Sequence, residues 1–496
     1  MHLADVVATS AAVAATRSRK AKVAALAERL AQAAPEELEV VTAYLGGSLL
    51  QRRTGLGWRS LATLPPPADA PTLSVADVHA AFDRIAALSG PGSAGARAAA
   101  VVDLFGRATA TEQAWLRGLV TGEVRQGALD SLVQEALAVA AGVPLAAVRR
   151  AAMLAGSTVA VAGRAFAGAD ALGEVGLEVG RPVLPMLASS ASTVTEAVAK
   201  AAARVAVDTK LDGIRIQVHR DGDHVVVASR TLDDLTARLP QVVAVARSLP
   251  VSRVVLDGEA LWVGDDGRPR MFQDSASKES ALSPYFFDVL HVDGRDLIDE
   301  PLAERLAVLD ALVPPEHRVG RLVTDDAEAA EEFAAQAIRA GHEGVVVKSL
   351  GSPWEAGRRG AGWVKVKPVH TLDLVVLAVE HGSGRRRGWL SNIHLGARDP
   401  ETGDLVMVGK TFKGMTDEML RWQTERFTKL AIGPSDGWVV TVRPEQVVEI
   451  AFDGVQRSTR YPGGVALRFA RVVRYRDDKS PDEADTIATL RAMLGS

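Results

Sequence analysis

The segment with the clearest capacity for chemistry runs from Asp208 to Arg215, where Lys210 ends one predicted strand and an acidic residue and a glycine precede the next. A lysine amine is a nucleophile once it is deprotonated. Because the ordinary pKa of lysine is about 10.4, neighbouring cations must favour the neutral form. Lys365 and Lys367 are candidates, since they alternate along a predicted strand and share one face. Alone, Lys-x-Asp-Gly arises by chance in roughly one chain in ten of this length, and then indicates a surface turn.

Six further short segments follow Lys210 along the chain. They are Ser229–Arg230, Asp257–Glu259, Phe286–Asp288, Glu343–Lys348, Trp363–Lys367 and Arg476–Lys479. Chance does not plausibly supply all seven in this order. Together they resemble motifs I, Ia, III, IIIa, IV, V and VI of the covalent nucleotidyltransferase superfamily.

Within that superfamily, the chain resembles the ATP-dependent DNA ligases of the archaeal and actinobacterial type. The resemblance spans nearly the whole chain, and residues 457–486 are similar to the end of such a ligase over many consecutive positions. It implies an enzyme that activates itself as a lysyl-adenylate. It also implies that nicked duplex DNA is the partner, in replication, repair or recombination.

The same resemblance implies a role for each site residue. Lys210 is the catalytic residue, which attacks the α-phosphate of ATP and expels pyrophosphate. Carboxylates are needed to hold Mg²⁺ or Mn²⁺, and the implied metal residues are Glu343 and Asp212, the latter acting in the final sealing step. The implied ATP-binding residues are Asp208, Arg215, Arg230, Glu259, Phe287, Lys365, Lys367, Arg476 and Lys479.

Two of these assignments have a plainer alternative, and a third residue departs from the family pattern. Phe287 matches the family aromatic that stacks on adenine, a contact worth about 1–3 kcal/mol in comparable base stacking. In a regular strand only one of Phe286 and Phe287 can face a nucleotide, and phenylalanine there is otherwise a core residue. Glu259 matches the glutamate near the nucleotide sugar, but alone indicates a surface acid. Asp208 stands where the family often has the glutamate that recognises the adenine amino group, and is one methylene shorter.

Three regions must position these residues. Helical spacing of Ala, Leu and Val over residues 1–178 predicts an all-α DNA-binding domain. Short β-rich runs over 179–370, including a hairpin around Asp221–Asp223, predict an α/β domain, which the resemblance identifies as an ATP-grasp-like adenylyltransferase. Several short strands over 371–496 predict a small β-barrel, which the resemblance identifies as an oligonucleotide-binding (OB) fold.

DNA binding must be reconciled with a formal net charge of −4, since phosphate contacts favour a basic surface. Basic clusters occur at Arg358–Arg359, at Arg385–Arg387, and at Arg468, Arg471, Arg474 and Arg476. Any one of them is equally typical of a solvated face. By resemblance, Arg125 and Gly127 fall where the helical domain meets the minor groove, although helix capping alone also favours glycine there.

The composition restricts the cellular compartment in which the protein is expected. The chain has no cysteine, which excludes disulfides and cysteine-based metal sites and favours the cytoplasm. The DNA partner that the resemblance implies would place the protein at the nucleoid. The apolar N-terminus is interrupted by Asp5 and by Arg19 and Lys20, so we expect an ordinary first helix and no membrane attachment. The expected oligomeric state is a monomer.

Proteins with other functions share part of this motif pattern. NAD-dependent ligases carry a four-cysteine zinc site, which this chain cannot form. Capping guanylyltransferases and RNA ligases use the same lysine chemistry, but are not expected to carry the long helical region. A catalytically inactive scaffold that binds DNA ends is another alternative, disfavoured by the presence of both Lys210 and Lys479.

Overall fold

A computed structural model describes residues 1–127, 130–201, 204–264, 281–356, 359–433 and 437–494. Arg358, which belongs to one of the basic clusters, lies outside these residues. The described chain forms a helical N-terminal region, a central region of two sheets and a C-terminal region built on a third, larger sheet. The predicted helical region is confirmed, whereas the domain boundaries stay predictions.

The N-terminal region contains helices α1 to α10. They are Leu3–Ala15, Arg19–Ala31, Leu38–Leu45, Val75–Ala87, Ser93–Gly106, Ala110–Thr121, Asp130–Ala141, Leu145–Ala155, Ala162–Ala167 and Ala169–Gly173. Helix α4 shows why they form: its apolar residues Val75, Val78 and Phe82 are buried on one face. Its N-terminus is fixed by Ser74, whose hydroxyl accepts a hydrogen bond from the Asp77 amide at 3.0 Å.

The central region contains strands β1 to β10 and helices α11 to α14. The strands are Leu187–Ala191, Val205–Lys210, Ile214–Asp221, His224–Ser229, Arg253–Leu261, Ser283–Val292, Arg295–Asp296, Arg321–Thr324, Gly344–Ser349 and Arg359–Val366. The helices are Val194–Ala201, Pro240–Ser248, Leu302–Leu312 and Ala327–Arg339.

These strands form two five-stranded sheets, ordered β1-β10-β9-β2-β8 and β4-β3-β5-β6-β7. The predicted hairpin is confirmed, because β3 and β4 pair from Asp221 and His224 around a turn in which Gly222 has φ +60°. Strands β2 and β3 are consecutive in sequence but lie in different sheets. Residues 211–213 therefore cross from one sheet to the other, directly after Lys210.

The C-terminal region contains strands β11 to β18 and helices α15 and α16. The strands are His370–His381, Leu390–Arg398, Leu405–Thr411, Val439–Thr441, Val447–Phe452, Gly454–Arg457, Val465–Arg468 and Arg471–Arg476, and the helices are Asp417–Leu430 and Ile487–Ala492. The main sheet has the order β13-β12-β11-β15-β18, with β14 also on β11 and with β16-β17 as a separate pair. The arrangement is OB-like. Within the described residues the first and last strands of this order, β13 and β18, are not paired with each other, so closure of the sheet into a barrel stays a prediction.

The helical region packs directly against the central region. Its apolar core extends to Val255, Leu290 and Trp354 of the central region. The Leu184 amide donates a hydrogen bond to the Met153 carbonyl oxygen at 3.0 Å. The two regions are therefore joined by a shared apolar core as well as by the chain.

One ion pair is fully buried in the central region. Arg305 donates hydrogen bonds to both carboxylate oxygens of Asp288, at 2.8 and 3.0 Å, and neither side chain is exposed. Arg305 also donates to the carbonyl oxygens of Glu300 and Ser352, at 2.6 and 3.1 Å. This network ties helix α13 to strand β6, which carries Phe287.

We expect Arg305→Met to lower the free energy of unfolding by about 3–5 kcal/mol, because it leaves the buried Asp288 carboxylate without its cationic partner. Thermal or urea unfolding measures the loss. The matched control is Arg150→Met, which breaks the exposed Arg150–Asp299 pair and should cost less than about 1 kcal/mol. Equal losses of unfolding free energy in the two variants would contradict the larger contribution that we expect from the buried pair.

Candidate active site

A pocket of about 840 Å³ opens between the two central sheets, and we call it the central pocket. It contains most of the residues that the sequence predicts as site residues. Those lining it are Asp208, Lys210, Asp212, Arg215, Arg230, Glu259, Phe287, Glu343, Lys365 and Lys367. Arg53 of the helical region and Arg468 and Phe469 of the C-terminal region also reach it. All three regions thus contribute to one site.

Lys210 and Lys367 share one carboxylate in this pocket. The Lys210 amine donates a hydrogen bond to Glu343 Oε2, and a second one to the Leu211 carbonyl oxygen at 3.3 Å. The Lys367 amine donates to the other oxygen, Oε1, of Glu343. Lys367 also lies 3.8 Å from Asp453 Oδ2. Lys and Arg side chains outnumber Asp and Glu in the pocket lining, which favours an anionic ligand.

Two glycines in the motifs allow this geometry. A Cβ atom on Gly213 would lie 2.4 Å from the Ala260 carbonyl oxygen, so a side chain there would prevent the close crossing between the sheets. Gly344 follows Glu343 with φ +133°, and a Cβ atom on it would lie 2.2 Å from the Val366 carbonyl oxygen. Glycine at these two positions lets Lys210 and Glu343 approach each other.

Arg215 and Glu259 lie side by side in the pocket on paired strands β3 and β5. Arg215 Nη2 lies 2.6 Å from Asp257 Oδ2, and its Nη1 donates to the Met186 carbonyl oxygen at 2.7 Å. Glu259 Oε1 accepts a hydrogen bond from the Gly213 amide at 3.2 Å. Burial raises the pKa of Glu259 to about 7, although the nearby Lys210 and Arg215 cations oppose the change.

This pKa predicts a pH dependence of stability. Because the folded-state pKa of about 7 lies above the ordinary value of 4.5, the folded protein holds the proton between these values. The free energy of unfolding therefore falls as the pH rises through that window. Glu259→Gln stays neutral, so we expect it to raise Tm relative to the parent protein at pH 8 by roughly 2–4 °C and to have little effect at pH 5. Thermal unfolding at both pH values measures this, and an equal change at each would contradict it.

Aromatic rings form one wall of the pocket. Phe287 and Trp363 line it in a T-shaped contact with ring centroids 5.7 Å apart, whereas Phe286 is fully buried in the core. The Lys348 amine lies over both rings, 4.4 Å from the Phe287 centroid and 4.1 Å from that of Trp363. Phe287 is thus the phenylalanine that can meet a ligand, and Lys348 holds its ring from one side.

Asp208 lies beneath the pocket with only 2% of its surface exposed. Arg321 binds its two oxygens at 2.5 and 3.1 Å, and Lys348 lies 2.7 Å from Oδ2. Burial would raise the pKa of Asp208, but the Lys348 and Arg321 cations outweigh it and hold the pKa below its ordinary value. Both oxygens are engaged, so adenine recognition by this carboxylate stays a prediction. Arg321 and Lys348 carry no obvious sequence signal for this pairing, since their partner is distant in the chain.

Arg468 and Phe469 bring the C-terminal region to the pocket. Arg468 Nη1 donates a hydrogen bond to Asp212 Oδ2 at 2.8 Å. Phe469 is 57% exposed and has a φ of 55°, an unusual conformation for a bulky residue. Sequence reasoning noted Arg468 only as part of a basic cluster. Phe469 carries no motif in the sequence, and its place at the pocket is seen only in the structure.

Arg476 and Lys479, predicted to bind ATP, do not line the central pocket. Both pair with Asp373 Oδ2, at 3.1 and 2.6 Å. Arg476 also pairs with Asp478 at 2.6 Å. Contact with ATP therefore stays a prediction, and it requires the C-terminal region to present a different face to the pocket.

The predicted DNA-binding residues also lie apart from the pocket. Arg125 is exposed and pairs with Glu123 at 2.5 Å. Gly127 has φ +68°, and a Cβ atom on it would lie 2.8 Å from the Lys22 amine nitrogen. The conformation accounts for glycine at this position without a ligand, so the DNA contact stays a prediction.

The predicted metal residues, Glu343 and Asp212, both line the pocket but have different partners. Glu343 pairs with Lys210 and Lys367, while Asp212 pairs with Arg468. Over the described ranges, no group of three or more His, Cys, Asp and Glu side chains is arranged to hold a metal ion. A metal bound by Glu343 and Asp212 would take its further ligands from substrate phosphate or water.

Sequence comparisons agree with this geometry. The family model "ATP dependent DNA ligase domain" matches residues 185–367, "ATP dependent DNA ligase C terminal region" matches 386–479, and "DNA ligase N terminus" matches 59–138. A "Probable DNA ligase" of Nocardioides sp. is 72% identical over 99% of both chains. Another, of Kineococcus radiotolerans, is 68% identical over 99% of this chain and 100% of its own.

A solved structure described as "Pmar-Lig_PreS3" has the same fold. It matches with a TM-score of 0.63 and 17% identity, over 95% of this chain and 99% of its own. The matched family models include the segments that bring Lys210, Glu343 and Lys367 together, and the relatives match along the full length. The chain therefore belongs to the ATP-dependent DNA ligases.

Proposed function

We propose that the protein seals 5′-phosphate/3′-hydroxyl nicks in duplex DNA, through a lysyl-AMP on Lys210 and then a DNA-adenylate, in replication, repair or recombination. One observation carries the proposal: the Lys210 amine faces the central pocket, bound to the carboxylate that also binds Lys367. A lysine so placed, among cations that attract phosphate, suits attack on a nucleoside triphosphate.

In the first step, the neutral Lys210 amine attacks the α-phosphorus of ATP. The bond from this phosphorus to the bridging oxygen breaks, pyrophosphate leaves, and the amine gives up a proton. Glu343 orients the amine through the hydrogen bond that it already accepts. Lys365 and Lys367, which line the same pocket, stabilise charge on the phosphates.

Glu343 and Asp212 would hold Mg²⁺ or Mn²⁺ in this site. They fit the role, because Mg²⁺ usually binds through one or two carboxylates together with substrate phosphates, and both line the pocket. When bound, the metal neutralises charge on the phosphoryl oxygens. Because Lys210, Lys367 and Arg468 pair with these carboxylates, those pairs must rearrange when the metal and nucleotide bind.

Nucleotide recognition rests on Phe287, Glu259 and Arg215. Phe287 and Val346 both line the pocket and are available to contact the adenine faces. Glu259 is close enough to Gly213 to accept its amide hydrogen bond, which fixes the carboxyl for a contact with the nucleotide sugar. Arg215 is fixed by Asp257 and presents its remaining donors to ribose or phosphate.

In the second step, an oxygen of the DNA 5′-phosphate attacks the AMP phosphorus, and the Lys210 amine leaves. In the third step, the 3′-hydroxyl oxygen attacks the 5′-phosphorus of the DNA-adenylate, loses its proton, and AMP leaves. Asp212 acts in this last step, at the point where Arg468 of the C-terminal region reaches the pocket. The helical region binds the duplex around the nick, with Arg125 and Gly127 at the minor groove.

Labelled ATP with Mg²⁺ followed by a chase with nicked duplex tests the proposal. We expect label on the protein before the chase, then transfer to DNA, then release as AMP as the nick closes. GTP in place of ATP should label the protein poorly. No label with ATP would refute the proposal and favour a catalytically inactive DNA-binding protein, and preference for GTP would favour capping chemistry.

A further inference from the structure

A loop of the helical region docks beside the central pocket. The loop follows helix α3, and its Arg52 Nη1 donates to the Leu232 carbonyl oxygen at 3.2 Å and lies 3.4 Å from Asp233 Oδ1. Leu232 in turn adopts a φ of 64° and packs toward Gly156, where a Cβ atom would lie 3.1 Å from the Leu232 side chain. The helical region and the segment after strand β4 therefore hold each other in position.

The next residue, Arg53, lines the central pocket. Its side chain is exposed and makes no hydrogen bond or ion pair with any residue that the structure describes. The backbone around it is nevertheless anchored, because Thr54 is 8% exposed and Gly55, with φ +69°, lies against the Arg97 side chain. A fixed backbone thus presents an uncompensated guanidinium to the pocket.

Arg230 presents a second such group, from the end of strand β4. It is exposed, lines the same pocket and has no polar partner among the described residues. The other pocket arginines differ, since Arg215 is paired with Asp257 and Arg468 with Asp212, and Arg238 is not without a partner either. Two guanidiniums without a polar partner therefore line one pocket, and a phosphate suits their planar donors.

Arg53 comes from a different region than the residues that surround the nucleophile. Lys210, Glu343 and Lys367, which are proposed to act at the α-phosphate, all belong to the central region. A duplex is too wide for a pocket of about 840 Å³, so only the nick can approach Lys210 and the flanking strand must stay outside. Arg53 is exposed and is supplied by the helical region, so it is accessible to a strand that approaches this pocket from outside.

We propose that Arg53 binds a backbone phosphate of the DNA strand next to the nick, and that it acts in the DNA-dependent steps but not in self-adenylation. This inference rests on the proposed nick-sealing function. It makes the helical region a direct contributor to the active site, in addition to its binding of the duplex elsewhere. Arg52 is a positioning residue, which holds the loop through Leu232 and Asp233.

The first test uses Arg53→Gln, with Arg59→Gln as the matched control. Arg59 lies in the same loop and is exposed, but does not line the pocket. Arg53→Gln should reduce kcat/KM for sealing a pre-adenylated nick roughly 10- to 100-fold, while self-adenylation without DNA stays within about twofold. The control should seal normally. A loss of self-adenylation in Arg53→Gln would place ATP at Arg53 and overturn the proposal, as would equal sealing by the two variants.

The second test locates the phosphate. In nicked duplexes, single phosphodiesters within three positions of the nick are replaced one at a time by neutral methylphosphonates. At one position the replacement should slow the parent protein but cause no further loss in Arg53→Gln, because the same contact is already gone. Additive losses at every position would overturn the proposal. If the unmodified protein neither self-adenylates nor seals nicks, the nick-sealing function fails instead, which this design separates from failure of the Arg53 contact.

Discussion

Lys210→Ala is expected to abolish both self-adenylation and nick sealing, because no other side chain can supply the phosphoramidate nitrogen at that place. Lys367 contacts the same carboxylate, but through the other oxygen and from the end of a different strand. The measurement is covalent label from ATP on a denaturing gel, followed by sealing of a nicked duplex.

Lys200→Ala is the matched control for this experiment. Lys200 is a half-exposed lysine of the same region, paired with Glu196 on helix α11, and its loss should leave both reactions unchanged. The bound label should also be released by acid and resist alkali, as a phosphoramidate does. Substantial label on Lys210→Ala would refute this residue as the nucleophile.

Lys479→Ala is expected to cripple self-adenylation, by roughly 10²- to 10³-fold if it removes one donor to the leaving pyrophosphate. Sealing of a chemically pre-adenylated nick should stay comparatively intact, because no pyrophosphate remains to be stabilised once AMP is on the DNA. In the described arrangement the Lys479 amine pairs with Asp373 at 2.6 Å. The effect therefore requires the C-terminal region to swing until this amine reaches the β- and γ-phosphates.

Glu343→Ala and Arg474→Ala complete this comparison. Glu343→Ala should impair both half-reactions, because the carboxylate orients Lys210 and is the proposed metal ligand. Arg474 lies on the same strand as Arg476 but pairs with Glu449 on an exposed face, so its loss should spare self-adenylation. If Lys479 belongs only to a DNA-binding surface, Lys479→Ala will self-adenylate normally, and its binding to nicks will be weaker and more sensitive to salt. That result would exclude movement of the C-terminal region onto the ATP phosphates as the role of Lys479.

The sequence predicted the pocket residues well where the motif itself supplies the physical constraint. Gly213 and Gly344 permit backbone approaches that a Cβ atom would prevent, so the segments around Lys210 and Glu343 are readable from residue type and order. The alternation of Lys365 and Lys367 likewise follows from strand geometry. Helix α1 and the β3–β4 hairpin could also be predicted, because apolar periodicity and turn residues are local features of the sequence.

Side-chain pairs between residues far apart in the sequence could not be predicted. Asp208 is satisfied by Arg321, which is 113 positions away, and no local pattern marks either side chain as the partner of the other. The docking of Arg52 on the Leu232 carbonyl oxygen joins two irregular loops with no periodicity to detect. Arg468 lies at Asp212, whereas Lys479 pairs with Asp373 outside the pocket. This placement depends on how the C-terminal region is oriented against the central region, and no local sequence pattern indicates that orientation.

The aromatic wall of the pocket also gives the protein an optical property. Trp363 lines the pocket in edge contact with both Phe287 and Trp354, and its indole N–H has no hydrogen-bond partner among the described residues. Indole emission depends on nearby charge and polarity, and Trp363 is one of eight tryptophans in the chain. The arrival of a purine beside Phe287 should therefore change the intrinsic fluorescence, so that the enzyme reports its own nucleotide occupancy without a label.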